Sequence, residues 1–266
     1  MENNKSIVDK LLSSNSSGVP EEQNSSNRRS GNYQTSTWDF NFIQSLSNPY
    51  VGDKYAKRAD ELKEKVKEML EDANEREPLH YFELIDDLQR LGLLHIFETE
   101  VKNILVNLYN KNGNYLKDDI YATALGFRLF RQHGFHVSPD SFSCFVTNKE
   151  EFTPSIYEDT KGMLYLYEAS YLSLEGETIL DLARELTKPH LRKNLDNGKI
   201  DKYLVDLVEH ALALPTYWRS TRVEARWFID IYNENPRKDD VLLELAKLDY
   251  NFVQSQYQDD LKFVFR

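Results

Sequence analysis

Two adjacent arginines, followed at a fixed distance by a tryptophan, are the residues of this chain best suited to chemistry. Arg28 and Arg29 are neighbours, and eight residues separate them from Trp38. Paired guanidinium groups offer permanent charge and several N–H donors, which match the oxygens of a phosphate or a carboxylate. An indole can anchor an irregular segment on a protein surface. On spacing alone, the alternative is the basic boundary of a polar tail, with a tryptophan nearby by chance.

Four acidic doublets raise the question of a metal site: Asp86-Asp87, Asp118-Asp119, Asp239-Asp240 and Asp259-Asp260. A Mg²⁺ ion bound to a diphosphate needs several carboxylate oxygens on one helix face, which Asp-Asp-x-x-Asp provides. The residue three positions after the second Asp of each doublet is not acidic in any of the four cases: Arg90, Ala122, Leu243 and Phe263. The sequence therefore predicts no metal ligands in this chain. We expect Asp118-Asp119 and Asp239-Asp240 to begin helices instead, where acids suit the helix dipole.

The composition excludes several classes of function. The chain has 44 acidic and 33 basic residues and a net charge of −11, which argues against a surface for nucleic acid or anionic membrane. No apolar run reaches the roughly 20 residues that a membrane span requires. The single cysteine, Cys144, excludes an internal disulfide framework, and we expect it to be a buried thiol.

The spacing of apolar residues predicts an all-α fold. Residues 1–30 are rich in Ser and Asn and poor in apolar residues, so we expect a disordered polar tail. From about residue 50 the apolar residues recur at helical spacing, with Gly, Asn and Pro between the runs. Roughly ten or more helices with short connections make an all-α domain. The chain carries no Gly-x-Ser-x-Gly, P-loop or Gly-x-Gly-x-x-Gly motif.

Several segments, taken in order, resemble plant terpene synthases. The pair Arg28-Arg29 with Trp38 resembles the tandem-arginine motif of that family. Further segments match in the same order: Glu83–Gly92 (ELIDDLQRLG), Ala122–Gly134 (ATALGFRLFRQHG), Leu166–Leu172 (LYEASYL), Leu174–Glu177 (LEGE), His210–Pro215 (HALALP), Arg222–Trp227 (RVEARW) and Leu243–Asn251 (LELAKLDYN). The resemblance covers about residues 28–266, and the ordered set is far more specific than any one motif.

This resemblance implies a fold and a division into domains. The implied fold is an α/α double barrel of the terpenoid cyclase N-terminal type over residues 31–238, with residues 239–266 as the first helix of a C-terminal catalytic domain. The family's aspartate-rich motif, which binds Mg²⁺ or Mn²⁺, would lie beyond Arg266. We therefore expect no catalytic residue and no cofactor in this chain, and no turnover by the chain alone. The apolar face of the last helix (Leu245, Leu248, Phe252, Val253) is expected to pack on the catalytic domain.

The resemblance also implies a role for the arginine segment. In the whole enzyme the substrate would be a prenyl diphosphate such as geranyl diphosphate, since the tandem arginines are typical of the monoterpene group. Arg28, Arg29 and Trp38 would cap the active site of the catalytic domain, exclude water from the carbocation and handle the diphosphate.

Two alternatives stay open at this point. The chain could be a catalytically inactive truncated helical protein that binds a partner, which an exposed apolar patch over residues 241–265 would favour. The tail carries Glu2, Asp9, Glu21 and Glu22 and no arginine before Arg28, unlike a transit peptide. We therefore expect a cytoplasmic protein, with the chloroplast as the alternative suggested by the monoterpene-type motif.

Overall fold

A computed structural model describes residues 38–50, 52–71, 77–111, 119–147, 151–198 and 200–265. The chain divides into two units, Met1–Phe42 and Ile43–Arg266. Residues 38–42 are the described part of the first unit, and the expected polar tail over residues 1–30 lies outside the described residues.

The described residues form helices and no β-strand, so the expected all-α class is confirmed. An isolated bridge between Val146 and Phe152 is the one extended pairing recorded in these residues. The α-helices, in chain order, are α1 (Phe40–Ser45), α2 (Asp53–Glu71), α3 (Pro78–Arg90), α4 (Glu98–Asn110), α5 (Ile120–Gln132), α6 (Pro154–Glu158), α7 (Thr160–Ser170), α8 (Thr178–Asp196), α9 (Lys202–Ala213), α10 (Thr221–Glu234) and α11 (Asp240–Val264). Short 3₁₀ helices cover Leu94–Ile96, Pro139–Phe145 and Thr216–Trp218.

Helices α5 and α7 form the centre of the second unit. Both are buried over almost their whole length, and α7 packs extensively against both α5 and α8. The Asp119 carboxylate begins α5 by accepting the N–H groups of Tyr121 and Ala122, at 2.8 and 3.3 Å. Gly134, at φ 82°, ends it in a conformation that favours glycine. The expectation that Asp119 begins a helix is confirmed.

The segment around Cys144 differs from the expectation. Ser138 caps the following turn as its Ser-Pro-Asp sequence indicates, and its hydroxyl accepts the Asp140 N–H at 3.2 Å. The turn is a 3₁₀ helix with a period of about three residues, so Phe142 and Phe145 both face the core. Cys144 lies on the other side and is exposed, so the prediction of a buried thiol was wrong.

The last helix, α11, also corrects an expectation. Asp239 caps its first turn by accepting from Val241 and Leu242, as the acidic doublet predicted. The helix packs against α2 and α10, and Leu245 and Leu248 are buried within this chain rather than reserved for another domain. A bidentate ion pair between Arg58 and Glu244, with both bonds at 2.7 Å, fixes it to α2.

None of the helices in the described ranges is both long enough and apolar enough to cross a lipid bilayer.

Candidate functional site

The predicted capping residues fall partly within the described structure. Arg28 and Arg29 lie outside the described residues. Trp38 is 57% exposed and stacks on Phe42, with ring centroids 6.0 Å apart. The Asp39 carboxylate accepts the Phe42 N–H at 2.9 Å, which holds the short segment in its turn. Phe40 and Phe42 are also about half exposed, so the segment after the arginines presents a row of aromatic rings.

Charged side chains are buried in the interior of the second unit. Asp86 on α3 and Arg128 on α5 are 3% exposed each and form an ion pair at 2.5 Å. The Tyr165 hydroxyl on α7 donates to the other Asp86 oxygen at 3.2 Å. Both carboxylate oxygens of Asp86 are therefore engaged by groups of this chain. These contacts matter because an unpaired buried charge is very costly.

The neighbouring carboxylate, that of Asp87, has a different partner, on α10. Tyr232 on α10 donates its hydroxyl to Asp87 at 3.0 Å and accepts the Asp239 N–H at 3.1 Å. Burial, together with the charge of adjacent Asp86, raises the pKa of Asp87 to about 7. This tyrosine thus links the interior acidic doublet to the first turn of α11.

A second ion pair joins α3, α9 and α10. Arg90 Nη2 donates to Glu224 at 3.1 Å, and His210 Nε2 lies 2.7 Å from the other Glu224 oxygen. The His210 ring stacks on Trp227 at 3.4 Å with the planes 2° apart. Burial opposes ionisation of Glu224, but the His210 hydrogen bond and the Arg90 charge outweigh it and lower the pKa of Glu224. Glu224 is therefore held as a carboxylate.

The described residues do not fit a Mg²⁺ site. They contain no group of three or more His, Cys, Asp or Glu side chains arranged to hold a metal ion. A further interior acid, Glu168 on α7, accepts both the N–H and the hydroxyl of Thr216, at 3.0 Å each. Hard divalent cations require several free carboxylate oxygens in one place, whereas the oxygens of these acids accept hydrogen bonds from donors of the same chain.

Sequence reasoning missed this ionic interior, although a signal for it was present. Arg128 interrupts the apolar run of α5, and Glu168 interrupts that of α7. A charge within a helix that is apolar on all sides must be buried, and a buried charge needs a partner. The signal indicates that partners exist but does not identify them.

Comparison with known proteins identifies a family whose members share the all-α architecture described above. Residues 37–212 match the family model described as "Terpene synthase, N-terminal domain". The chain is 52% identical over 242 residues to a chloroplastic limonene synthase of Coffea arabica, covering 90% of this chain and 40% of that protein. It is 48% identical over 238 residues to the (-)-alpha-terpineol synthase of Vitis vinifera, covering 88% of this chain and 40% of the relative.

Solved structures support the same fold. A crystal structure of limonene synthase with 2-fluorolinalyl diphosphate superposes with a TM-score of 0.81 at 44% identity, covering 88% of this chain and 44% of that one. The isoprene synthase of Populus x canescens gives a TM-score of 0.75 at 43% identity, covering 87% and 43%. The terpenoid cyclase type of fold is thereby confirmed. The chain spans about 40% of the length of the curated relatives it matches. By the family match, the ordered motifs and the shared fold, this chain belongs to the plant terpene synthases and carries their N-terminal domain.

Proposed function

We propose that this chain supplies the helical, metal-free domain of a terpene synthase that converts a prenyl diphosphate such as geranyl diphosphate into a terpene. The observation that carries the proposal is the match of residues 37–212 to the N-terminal domain family, with relatives named for limonene and α-terpineol. The interior acids are paired with arginines of the same chain, which supports a domain that covers the active site rather than one that ionises the substrate. Mg²⁺ or Mn²⁺ would be held by residues outside those described.

The proposed contribution of this chain to the reaction is a cap. Arg28 and Arg29 would donate to diphosphate oxygens, and Trp38 would anchor their segment over the active site of the catalytic domain. The exposed Trp38, stacked on Phe42, supports this role because it offers an aromatic surface that another domain can cover. When water is kept away from the carbocation, the carbocation can cyclise instead of reacting with water to form an alcohol.

The division into domains also remains a proposal. We assign residues 1–30 to a polar tail, 31–238 to the helical barrel and 239–266 to the first helix of the catalytic domain. The proposed boundary coincides with the start of α11 at Asp240, and the first half of this helix packs against α2 and α10 of the barrel.

Localisation is proposed from the relatives. The limonene synthase of Coffea arabica and a linalool synthase of the same plant are both named chloroplastic. Their names favour the chloroplast, which was the alternative from the sequence, over the cytoplasm. A fluorescent fusion of the intact protein in leaf cells tests the proposal, and exclusively cytosolic fluorescence would contradict it.

One observation favours a second candidate, a catalytically inactive helical protein that binds a partner. Tyr257, Phe263 and Val264 on the last turns of α11 are 51%, 73% and 76% exposed. Exposed apolar side chains on one helix end are suited to contact with another protein surface. The two candidates differ in whether the chain restores a catalytic reaction when joined to a catalytic domain.

A chimeric enzyme tests the proposed function. Residues 28–266 replace the matching segment of the Coffea arabica limonene synthase, and product from geranyl diphosphate is measured with Mg²⁺. Changing both Arg28→Ala and Arg29→Ala should lower cyclised product about 10-fold or more, on the order of 1.4 kcal/mol in the barrier. Trp38→Ala should lower it as well and cost some stability.

The matched control removes another adjacent basic pair, with Arg237→Ala and Lys238→Ala in the connection before α11. This control changes the net charge equally and should leave the product spectrum unchanged. An unchanged rate and spectrum in the arginine variant would reject the capping role. A folded but inactive chimera would favour the second candidate.

A further inference from the structure

A cavity of about 530 Å³, with several charged and polar side chains in its walls, lies in the second unit. Several of the sequence motifs meet at its walls: the end of α3 with Arg90, the end of α5 with Gln132 and His133, and the start of α10 with Thr221 and Glu224. None of these residues has a part in the proposed cap. The volume suits a small molecule rather than a few waters.

Two arginines that line this cavity have more N–H donors than their hydrogen bonds use. Arg90 is 92% buried, since its exposure is 8%, and among the described residues it donates only through Nη2, to Glu224. Its Nε has no partner there but is itself inaccessible, so donation into the cavity would come from its other N–H groups. Arg219 donates Nε to the Leu214 carbonyl and Nη2 to the His210 carbonyl, at 3.0 and 2.6 Å. A guanidinium has more N–H donors than these bonds use, and buried donors without acceptors are costly.

The start of α10 adds a second source of positive potential. This helix has 14 residues, and its N-cap residue, Ser220, makes no side-chain hydrogen bond to the first turn. The N–H groups of that turn are thus not capped by a side chain, and Thr221, the first helical residue, lines the cavity. Uncapped N–H groups and the helix dipole together attract anions.

Two acids line the cavity, Glu98 and Glu224, and Glu224 lies in the first turn of α10 itself. Glu224 is the carboxylate nearest the two arginines, and its oxygens already contact Arg90 and His210, with Arg219 Nε at 3.8 Å. Glu98 lies on the wall and is exposed, where solvent screens its charge. Burial lowers the pKa of His133, so that imidazole adds a neutral polar group. The C-terminal ends of α3 and α5 repel an anion from their side, which directs it towards α10.

We propose that this cavity binds a small oxyanion, a carboxylate or phosphate group, between Arg90, Arg219 and the first turn of α10. The guanidinium N–H groups and the helix N–H groups would donate to its oxygens, and the side-chain amide of Gln132 would offer a neutral hydrogen bond to the rest of the ligand. The site lies entirely within this chain and does not depend on a catalytic domain.

Titration of the full 266-residue chain with inorganic phosphate, and separately with malonate, tests the proposal. Ionic strength is held constant with NaCl, and the indole N–H resonances of ¹⁵N-labelled protein are followed by NMR. Trp227 reports on the site because its ring lies 5.9 Å from the Arg90 guanidinium and stacks on His210. We expect its resonance to shift saturably with at least one of the two anions. The anion that binds identifies the group, and saturation by neither anion overturns the proposal.

Two variants separate binding at this site from general charge effects. Arg219→Gln should weaken binding about 10-fold, and Arg219→Lys should restore part of it. The matched control is Arg226→Gln on α10, where the exposed Arg226 pairs with Asp230 and does not line the cavity. This control should bind as the unchanged chain does, and an equal loss in both glutamine variants would contradict the proposal.

A third variant tests the helix start without removing a charge. Thr221→Pro places proline at the first helical position, where its fixed φ is compatible with the helix and its missing N–H is not needed within it. Ser220 before it is already extended, at φ −67° and ψ 129°, as a residue before proline requires. We expect a folded protein that binds about 3-fold more weakly. Unchanged affinity would remove α10 from the site.

Discussion

At the scale of the residue, the interior charges of this domain matter through their partners. Asp86 and Arg128 are 42 positions apart, and Arg90 and Glu224 are 134 apart, yet each pair is buried and in contact. A buried pair contributes little net stability relative to an apolar pair, but loss of one member leaves the other as an uncompensated charge.

Removing one member of the Asp86 pair should therefore unfold the domain readily. Asp86→Ala leaves Arg128 buried without its carboxylate, and we expect a loss of about 3–5 kcal/mol in the free energy of unfolding. Asp60→Ala is the control, because Asp60 is an exposed partner of Lys63 one helical turn away. It should change stability by less than about 0.5 kcal/mol. Urea denaturation measures both, and similar midpoints would show that the buried pair is not needed.

The adjacent Asp87 should make stability depend on pH. Its pKa in the folded chain is about 7, against about 4 in the unfolded chain, so the folded state holds its proton more tightly. The stabilising contribution of this proton is complete below about pH 4 and is lost as pH rises towards 7. The slope attributable to Asp87 should approach 1.4 kcal/mol per pH unit between these values.

Comparison of the unchanged chain with Asp87→Asn isolates this effect from the other titrating groups. Asp86, Arg90 and Glu83 all influence the Asp87 pKa, and Tyr232 donates to it. Because the amide does not titrate, the stability difference between the two proteins should vary with pH only from about pH 4 to 7. Parallel curves from pH 5 to 8 would rule out a raised Asp87 pKa.

At the scale of the element, α11 changes character along its length. Its first half contributes Leu242, Leu245 and Leu248 to the core, while Tyr257, Phe263 and Val264 are exposed in the second half. Packing rather than propensity stabilises most helices in proteins. The two halves should therefore open with different free energies.

Hydrogen exchange measured at two protein concentrations should reveal a gradient along α11. Amides of the first half should approach the protection of α5, and those after about residue 256 should exchange early. The first half should be protected because Leu245 and Leu248 are buried within this chain rather than facing another domain. Equal protection along the helix at both concentrations would contradict the gradient, whereas protection that appears only at the higher concentration would indicate self-association.

At the scale of the whole molecule, the described residues form a helical domain whose interior acids are all engaged by internal donors. We expect this chain alone to give no terpene from geranyl or farnesyl diphosphate with Mg²⁺. The physical reason is that ionisation of a diphosphate needs metal-bound carboxylates, and the described residues provide no such group. Product analysis against a sample without protein checks this. Terpene formation that a chelator abolishes would contradict it.

The sequence by itself determined the features that depend on local interactions. Helical periodicity, the Asp119 and Asp239 caps and the glycine that ends α5 are set by residues within a few positions of one another, so the all-α class could be predicted. The order of the motifs indicated the family. The roles of Arg28, Arg29 and Trp38 were predicted by resemblance and stay a prediction.

The tertiary structure decided which distant residues meet. Arg128 could be recognised as a charge within an apolar helix, but its partner Asp86 follows from how α3 packs against α5 and α7. The same packing brings Arg90, Arg219 and the start of α10 around one cavity, and the change from α to 3₁₀ geometry turns Cys144 outward. Periodicity specifies the face of a helix that is buried, whereas the neighbour that covers this face depends on crossing angles and side-chain volumes across the whole domain.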